Sequence, residues 1–190
     1  VEFEDKRYTY GTEPDYVCLE WKNDKFNLGL PLPNLPYLFD GDVKLTQSLA
    51  ILRYLARKYK LVGQSEAETT RLEVLEQELF DLRLRLATVV YSGTAYEKLR
   101  EEYLKKFPEK PQLLSNYLCD KKFVNGDKVT YVDFMLYEVL DFINIIESSS
   151  LATFANLKSF RQRFENLPAI KKYMSSGNFS PLPTVGKKTD

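Results

Sequence analysis

The sequence contains no histidine, and that absence excludes several kinds of catalytic and metal site. Ser-His and Cys-His catalysis both need an imidazole base, and histidine metal ligation is excluded as well. Only two cysteines occur, Cys18 and Cys119, and they lie too far apart to form a C-x-x-C motif. We therefore expect neither a redox dithiol nor a zinc site, and we interpret both cysteines as free thiols of a cytoplasmic protein.

An excess of one charge and a long apolar run are also lacking. Lys+Arg and Asp+Glu both number 27, so no overall charge attracts nucleic acid or an anionic membrane. No run approaches the roughly 18 apolar residues of a membrane span, and the opening VEFEDKRYTYG lacks the apolar region of a signal peptide. The 190 residues are 44% hydrophobic, which is enough for a full core in one large domain or two small ones.

The first third of the chain has a mixed α/β pattern. FEDKRYTY (3–10) alternates aromatic and polar residues and predicts a short strand. LEWKNDKFN (19–27) predicts a short helix or turn. PYLFD (36–40) and VKLT (43–46), joined by Gly-Asp, predict a hairpin with a two-residue turn. From Gln47 to about residue 60, apolar residues recur at helical spacing.

The rest of the chain has a helical pattern and no internal repeat. Apolar residues at spacings of three and four predict a long amphipathic helix over 66–92. Further helices are predicted over 95–106, 109–119, 131–147, 156–165 and 168–175. We predict a first domain over 1–61, a linker over 62–65, and an all-helical domain with a C-terminal tail over 66–190.

Thr130 and Asp133 form the pattern of a helix cap. A threonine precedes an apolar run and an acidic residue follows three positions later, which is typical of a capping box. This pattern predicts a structural role at the start of a helix.

The stretch PNLPYLFDGDVKLTQS (33–48) has features that ordinary packing does not require. Pro36 cannot donate to a strand ladder and fits poorly in a central strand. Gln47 and Ser48 lie where a helix leaves its first four N–H groups unpaired, so a small anion could bind there.

Four runs of the sequence resemble the cytosolic glutathione transferases, most closely the mu class. These runs cover most of the chain in the family's order: EWKNDKFNLGL, PNLPYLFDGDVKLTQSLAILRYLARK, GDKVTYVDFMLYEVLD and FANLKSFRQRFENLPAIKKYM. YTYGTEPDY also resembles the loop that marks the mu class. The resemblance implies a two-domain α+β fold, with an incomplete thioredoxin-like α/β domain followed by an all-α domain.

The resemblance also implies a glutathione site. The Leu35-Pro36 bond would be cis, so that the Leu35 backbone pairs with the cysteinyl part of the tripeptide. Positions that match the family's glutathione contacts are Trp21, Lys25, Asn34, Leu35, Gln47, Ser48 and, from the partner subunit, Asp81. Tyr91 would face the electrophile pocket, and Leu32 and Arg53 would lie at the interface of a homodimer.

From the residues alone, most of these positions have a plainer interpretation. Trp21 and Tyr91 would be packing aromatics, Lys25 and Asp81 would be exposed charges, and the Gln-Ser pair would be a plain helix start. Their joint occurrence in the family's order favours ligand contact instead.

The sequence departs from the family in two ways. No tyrosine here matches the family's catalytic tyrosine, which lies on an earlier strand, so we assign no catalytic residue. Either the chain is a fragment of a longer protein or its first domain is damaged, and we expect a fragment. Leu32 also replaces a phenylalanine that inserts into the partner, which predicts a weaker dimer contact.

The function expected from the resemblance is conjugation of the glutathione thiolate to hydrophobic electrophiles in the cytoplasm. Glutathione would be a co-substrate, and no cofactor, metal, nucleic acid or membrane is expected. The alternative is a non-catalytic protein of the same fold that binds hydrophobic ligands or has a structural role. Retention of the glutathione contacts favours the enzyme.

Overall fold

A computed structural model of the chain describes residues 2–9, 11 and 17–179. The chain divides into two compact units, Val1–Lys60 and Leu61–Asp190. The tail beyond residue 179, which we included in the helical domain, lies outside the described residues, as does Tyr10.

The first unit contains a two-stranded antiparallel hairpin between two helices. Helix α1 spans Leu19–Asp24, strands β1 and β2 span Tyr37–Asp40 and Val43–Thr46, and helix α2 spans Ser48–Lys58. Asp40 pairs with Val43 across a two-residue turn, as predicted. Gly41 in that turn has a φ of +59°, a conformation that glycine adopts without a steric penalty.

The strand predicted over residues 3–10 is wrong for the residues that the structure describes there, since 2–9 are irregular. A strand needs a neighbour for its backbone hydrogen bonds, and the two strands of this unit pair with each other. The side chains of this segment contact α1 instead. Lys6 donates to Asp24 at 2.7 Å, and the ring of Tyr8 packs on Trp21.

Helix α2 is fixed to the hairpin by polar contacts near its C-terminus. The Tyr54 hydroxyl donates to the Asp40 carboxylate at 2.8 Å, and the Lys58 ammonium donates to the same oxygen. The Lys58 hydrogen bond, followed by that of Tyr54, lowers the pKa of Asp40 below its usual 3.8. These contacts hold the end of β1 against the last turns of α2.

The described part of the second unit is helical apart from its loops and two isolated β-bridges, one between Phe123 and Gly126 and one between Asn125 and Lys128. Two short 3-10 turns, Gly93–Ala95 and Ser148–Leu151, lie between the α-helices. The α-helices are α3 (Glu66–Val90), α4 (Tyr96–Lys106), α5 (Lys110–Leu118), α6 (Tyr131–Ile146), α7 (Ala155–Glu165) and α8 (Pro168–Met174). Each predicted helix is present to within about two residues at its ends, the usual uncertainty of a helix boundary.

The core of this unit lies between α3 and α6, which pack against each other. The apolar stripe of α3 is buried, as its spacing predicts. It comprises Leu72, Leu75, Leu79, Leu82, Leu86 and Val89. Helix α6 is buried on more than one face, and Phe160 and Phe164 of α7 close the core beside it. No helix in the described ranges is long and apolar enough to cross a membrane.

The predicted capping box at the start of α6 is present and lies inside the core. Thr130 and Asp133 are both fully buried. The Asp133 carboxylate accepts from the Thr130 backbone N–H at 2.7 Å and from the Val124 backbone N–H at 2.8 Å. The Thr130 hydroxyl donates to the same carboxylate at 3.0 Å. This carboxylate therefore joins the loop before α6 to the helix itself.

Candidate functional site

The loop before the hairpin has the expected cis peptide bond between Leu35 and Pro36. Leu35 is half-buried and Asn34 is exposed. The side-chain oxygen of Asn34 accepts from the Leu35 backbone N–H at 2.9 Å. The backbone donor that the sequence interpretation gave to a ligand is therefore paired with a neighbouring side chain in this structure.

The start of α2 combines an unusual backbone conformation with open hydrogen-bond donors. Gln47 is the residue before the helix and has a φ of 71°, in the left-handed region that side chains other than glycine rarely adopt. No side chain caps the first turn, and Gln47 and Ser48 are both exposed. The first N–H groups of the helix thus have no side-chain cap, and the helix dipole makes this end favourable for an anion.

Trp21 lies on α1, and Lys25 follows the last residue of the helix, one turn after Trp21. The Trp21 ring is half-buried and stacks on Tyr37 of β1, with ring centres 6.0 Å apart and planes 14° apart. Tyr8 meets Trp21 edge-on at 5.3 Å. The Lys25 ammonium lies 4.7 Å from the centre of the Phe26 ring. The Lys25 backbone N–H donates to the Trp21 carbonyl at 2.9 Å, so the helical turn continues to Lys25 and places the two residues on the same side of it.

The hairpin connects the loop with the cis bond, the start of α2 and Trp21 of α1. Tyr37 on β1 and Thr46 on β2 are cross-strand partners. Tyr37 follows the cis bond and stacks on Trp21, and Thr46 precedes Gln47 at the start of α2. The Thr46 hydroxyl also donates to the Leu32 carbonyl at 2.9 Å, which ties the end of β2 to the loop before β1.

Polar groups around α1 form a second network that the sequence did not reveal. The Tyr8 hydroxyl donates to Asp24 at 3.1 Å and lies 3.3 Å from the Tyr37 hydroxyl. Lys6 donates to the same carboxylate oxygen of Asp24, which lowers the pKa of Asp24 and raises that of Lys6. Partial burial, and then the contact with Tyr37, raises the pKa of Tyr8 to about 12. Tyr8 is therefore a neutral, hydrogen-bonded hydroxyl at physiological pH.

A local sequence pattern could have indicated Asp24 as a residue of this site, but no such pattern indicates Tyr8. Asp24 lies three residues after Trp21 and one before Lys25, a spacing that places it beside them on a short helix. Tyr8 contacts residues 13 to 29 positions away, and no local pattern marks it.

The remaining candidates are Leu32 and Arg53 in the first unit and Asp81 and Tyr91 in the second. Leu32 is 71% exposed, and Arg53 is exposed on α2. Asp81 lies on the exposed side of α3, where it accepts from the Gln77 amide at 2.9 Å. Tyr91 follows the end of α3, is 59% exposed, and meets Phe142 edge-on at 6.5 Å.

Comparisons with known proteins agree with this architecture in both units. The family model "Glutathione S-transferase, N-terminal domain" matches residues 1–57, and "Glutathione S-transferase, C-terminal domain" matches residues 80–177. Glutathione S-transferase Mu 1 of Bos taurus is 49% identical over 185 residues, which cover 97% of this chain and 84% of that protein. The chain belongs to the glutathione S-transferase family. Mu 2 of Mus musculus is 50% identical over the same shares.

Solved structures place the chain in the same family. The crystal structure of the glutathione S-transferase Blo t 8 matches with a TM-score of 0.81 at 36% identity, and the match covers 98% of this chain and 89% of that one. A pi-class glutathione S-transferase of Onchocerca volvulus matches with a TM-score of 0.73 at 33% identity, over 84% and 78% of the two chains. The expected fold class, a mixed α/β unit followed by a helical unit, is confirmed.

Proposed function

We propose that the chain is a mu-class glutathione transferase that conjugates glutathione to hydrophobic electrophiles. The observation that carries this proposal is the sequence identity of 49% and 50%, over 97% of the chain, to two proteins named as mu-class transferases. In the reaction the glutathione sulfur bonds to an electrophilic carbon, and the proton of the thiol and the leaving group depart. Glutathione is a co-substrate here, and the proposal needs no cofactor.

The start of α2 is suited to the γ-glutamyl carboxylate. Ser48 offers a hydroxyl, and the first turn of the helix offers backbone N–H groups, all on an exposed surface. Gln47 would hold the same moiety through its amide. Its left-handed backbone fits this role, because strained residues persist where the surrounding structure holds them and often mark functional sites.

The Leu35 backbone would pair with the cysteinyl part of glutathione. Because Asn34 occupies the Leu35 N–H, the ligand's carbonyl would replace the Asn34 oxygen as acceptor. The freed Asn34 amide could then contact the tripeptide. At the other end of the ligand, the Trp21 indole N–H and the Lys25 ammonium would bind the glycyl carboxylate.

Tyr91 is our candidate for the electrophile side of the reaction. Its exposed hydroxyl could donate to an oxyanion that develops on the substrate. We assign no residue to activation of the thiol. Tyr8 does not suit that role, because its hydroxyl already donates to Asp24 and its pKa is raised to about 12.

A homodimer would complete the site. Asp81 of the partner subunit would meet the γ-glutamyl ammonium, with Leu32 and Arg53 at the interface. The exposure of Leu32 is consistent with an apolar contact that a second copy covers. Sedimentation should therefore give twice the chain mass at micromolar concentration. A monomer would contradict both the dimer and the role of Asp81. We also propose a cytoplasmic location, which cell fractionation would test.

The proposed function is tested by titration followed by turnover. Calorimetry of the full chain should give saturable binding of glutathione, and an aryl halide with a chromogenic conjugate should be consumed in proportion to enzyme. Binding without turnover across a panel of electrophiles would favour the non-catalytic alternative. Absence of glutathione binding would contradict the proposal as a whole.

A further inference from the structure

Helix α1 is too weak to fix its own orientation. It has six residues, no side-chain cap at its start and no buried residue. Isolated helices shorter than about 12 residues are marginal in water, so contacts with other segments must hold this one. Yet the proposed function needs the indole of Trp21 and the ammonium of Lys25 in fixed places.

One tyrosine from the irregular segment 2–9 contacts both Trp21 and Asp24 of α1. The Tyr8 hydroxyl donates to Asp24 at 3.1 Å, and its ring meets Trp21 edge-on at 5.3 Å. Asp24 lies on the helical turn that follows Trp21, so Tyr8 touches α1 at two successive positions of one face. The same hydroxyl lies 3.3 Å from the hydroxyl of Tyr37, whose ring stacks on the Trp21 indole.

Lys6 helps to fix the Asp24 carboxylate, which accepts the hydrogen bond from Tyr8. Its ammonium donates to the Asp24 oxygen that also accepts from Tyr8, and it lies 4.8 Å from the centre of the Tyr8 ring. Charge-assisted hydrogen bonds are shorter and stronger than neutral ones, so Asp24 is a well-fixed partner.

We propose that Tyr8 is a positioning residue: it holds α1 through Asp24 and so orients Trp21 and Lys25 toward the glycyl carboxylate of glutathione. This inference rests on the proposed function. Tyr8 touches no substrate atom in this scheme and acts only through α1. Its loss should therefore weaken recognition of the glycyl end and spare the γ-glutamyl and cysteinyl contacts.

Two ligands separate positioning from a general loss of structure. Glutathione carries the glycyl carboxylate, and γ-glutamylcysteine is the same molecule without the glycine. Tyr8→Phe keeps the ring and removes the hydroxyl. It should weaken glutathione binding by about threefold to tenfold, the range of an ordinary hydrogen bond, and change γ-glutamylcysteine binding by less than about twofold.

Asp24→Ala removes the same bond from the other side and should produce the same selective loss. Because both variants remove the bond between Tyr8 and Asp24, the double variant should lose less than the product of the two single effects. Tyr59→Phe, an exposed tyrosine of the same unit, is the matched control and should change neither affinity. Trp21 is the only tryptophan in the chain, so its fluorescence reports directly on this helix, and acrylamide quenching should rise in both single variants.

The outcomes are distinguishable. A wild-type chain that binds neither ligand contradicts the proposed function itself. The positioning role is overturned if the wild-type chain prefers glutathione and Tyr8→Phe leaves that preference intact. It is also overturned if Tyr8→Phe weakens the binding of both ligands equally. If the Tyr8→Phe variant does not fold, the ratio of glutathione affinity to γ-glutamylcysteine affinity in Asp24→Ala tests the positioning role instead.

Discussion

Substitution of Ser48 by alanine tests the proposed anion site at the start of α2. Ser48 is the first residue of the helix and is exposed, and Gln47 before it does not cap the helix with its side chain. A hydrogen bond from the hydroxyl to the γ-glutamyl carboxylate would be charge-assisted, with a value of about 1.5–3 kcal/mol. Ser48→Ala should therefore weaken glutathione binding by roughly tenfold or more.

Folding stability should change little in the same variant. Within the described residues, the Ser48 side chain makes no hydrogen bond that the substitution would remove. Exposed substitutions of this kind usually change the free energy of unfolding by less than about 0.5 kcal/mol. Alanine also favours a helix more than serine does.

Ser65 provides a matched control on another helix. Its side chain caps α3 by accepting from the Glu68 backbone N–H at 3.2 Å. Ser65→Ala should lower the free energy of unfolding by about 0.5–2 kcal/mol and leave glutathione affinity unchanged. Calorimetric titration and thermal melting of both variants separate the two roles. If Ser48→Ala melts lower and binds glutathione normally, Ser48 is only part of a helix start and the proposed site is wrong.

Three further predictions concern stability. Asp133→Ala should destabilise the protein by about 3 kcal/mol in urea unfolding, because two buried backbone N–H groups lose their acceptor. Gly63→Ala should cost about 1–3 kcal/mol by the same measurement, since an added Cβ would lie 2.6 Å from the backbone nitrogen of Thr69. The lowered pKa of Asp40 means that its pairing with Lys58 stabilises the fold above pH 3.8 and is lost as the pH falls below it. The stability difference between wild type and Asp40→Asn should therefore shrink between pH 6 and pH 3, and a constant difference would contradict this pairing.

The sequence predicted those parts of the fold that depend on local patterns. The stripe of leucines in 66–92 became α3 (Glu66–Val90), because apolar residues three and four apart share one face. The Gly-Asp turn gave the hairpin its register, since a two-residue loop fixes which residues oppose each other. The strand predicted over 3–10 is absent from its described residues, 3–9, for the opposite reason. Alternation describes a strand only where a neighbour is available to pair with it.

The resemblance predicted the residues proposed to contact glutathione, but it did not predict the residues that hold them in place. Trp21, Gln47 and Ser48 could be named from family order, whereas the partners of α1 come from distant segments. Tyr8 and Asp24 are 16 residues apart, and the Thr46 hydroxyl reaches a carbonyl 14 residues earlier. Contacts of this separation follow from the folded backbone and leave no periodic signal in the sequence.

The proposed glutathione contacts differ in whether a side-chain change can remove them. At the start of α2 and at Leu35 some of the donors are backbone N–H groups, which remain in any variant except proline, and the Ser48 hydroxyl and Gln47 amide add to them. At α1 the contacts are an indole and an ammonium, and their positions depend on a six-residue helix held from outside. Side-chain variants near α2 should therefore weaken binding without removing the backbone donors, whereas loss of the Tyr8 contacts should affect the glycyl end alone. The γ-glutamyl and cysteinyl parts of glutathione would thus be recognised partly by fixed backbone donors. The glycyl carboxylate would be recognised by side chains whose geometry depends on packing around Trp21.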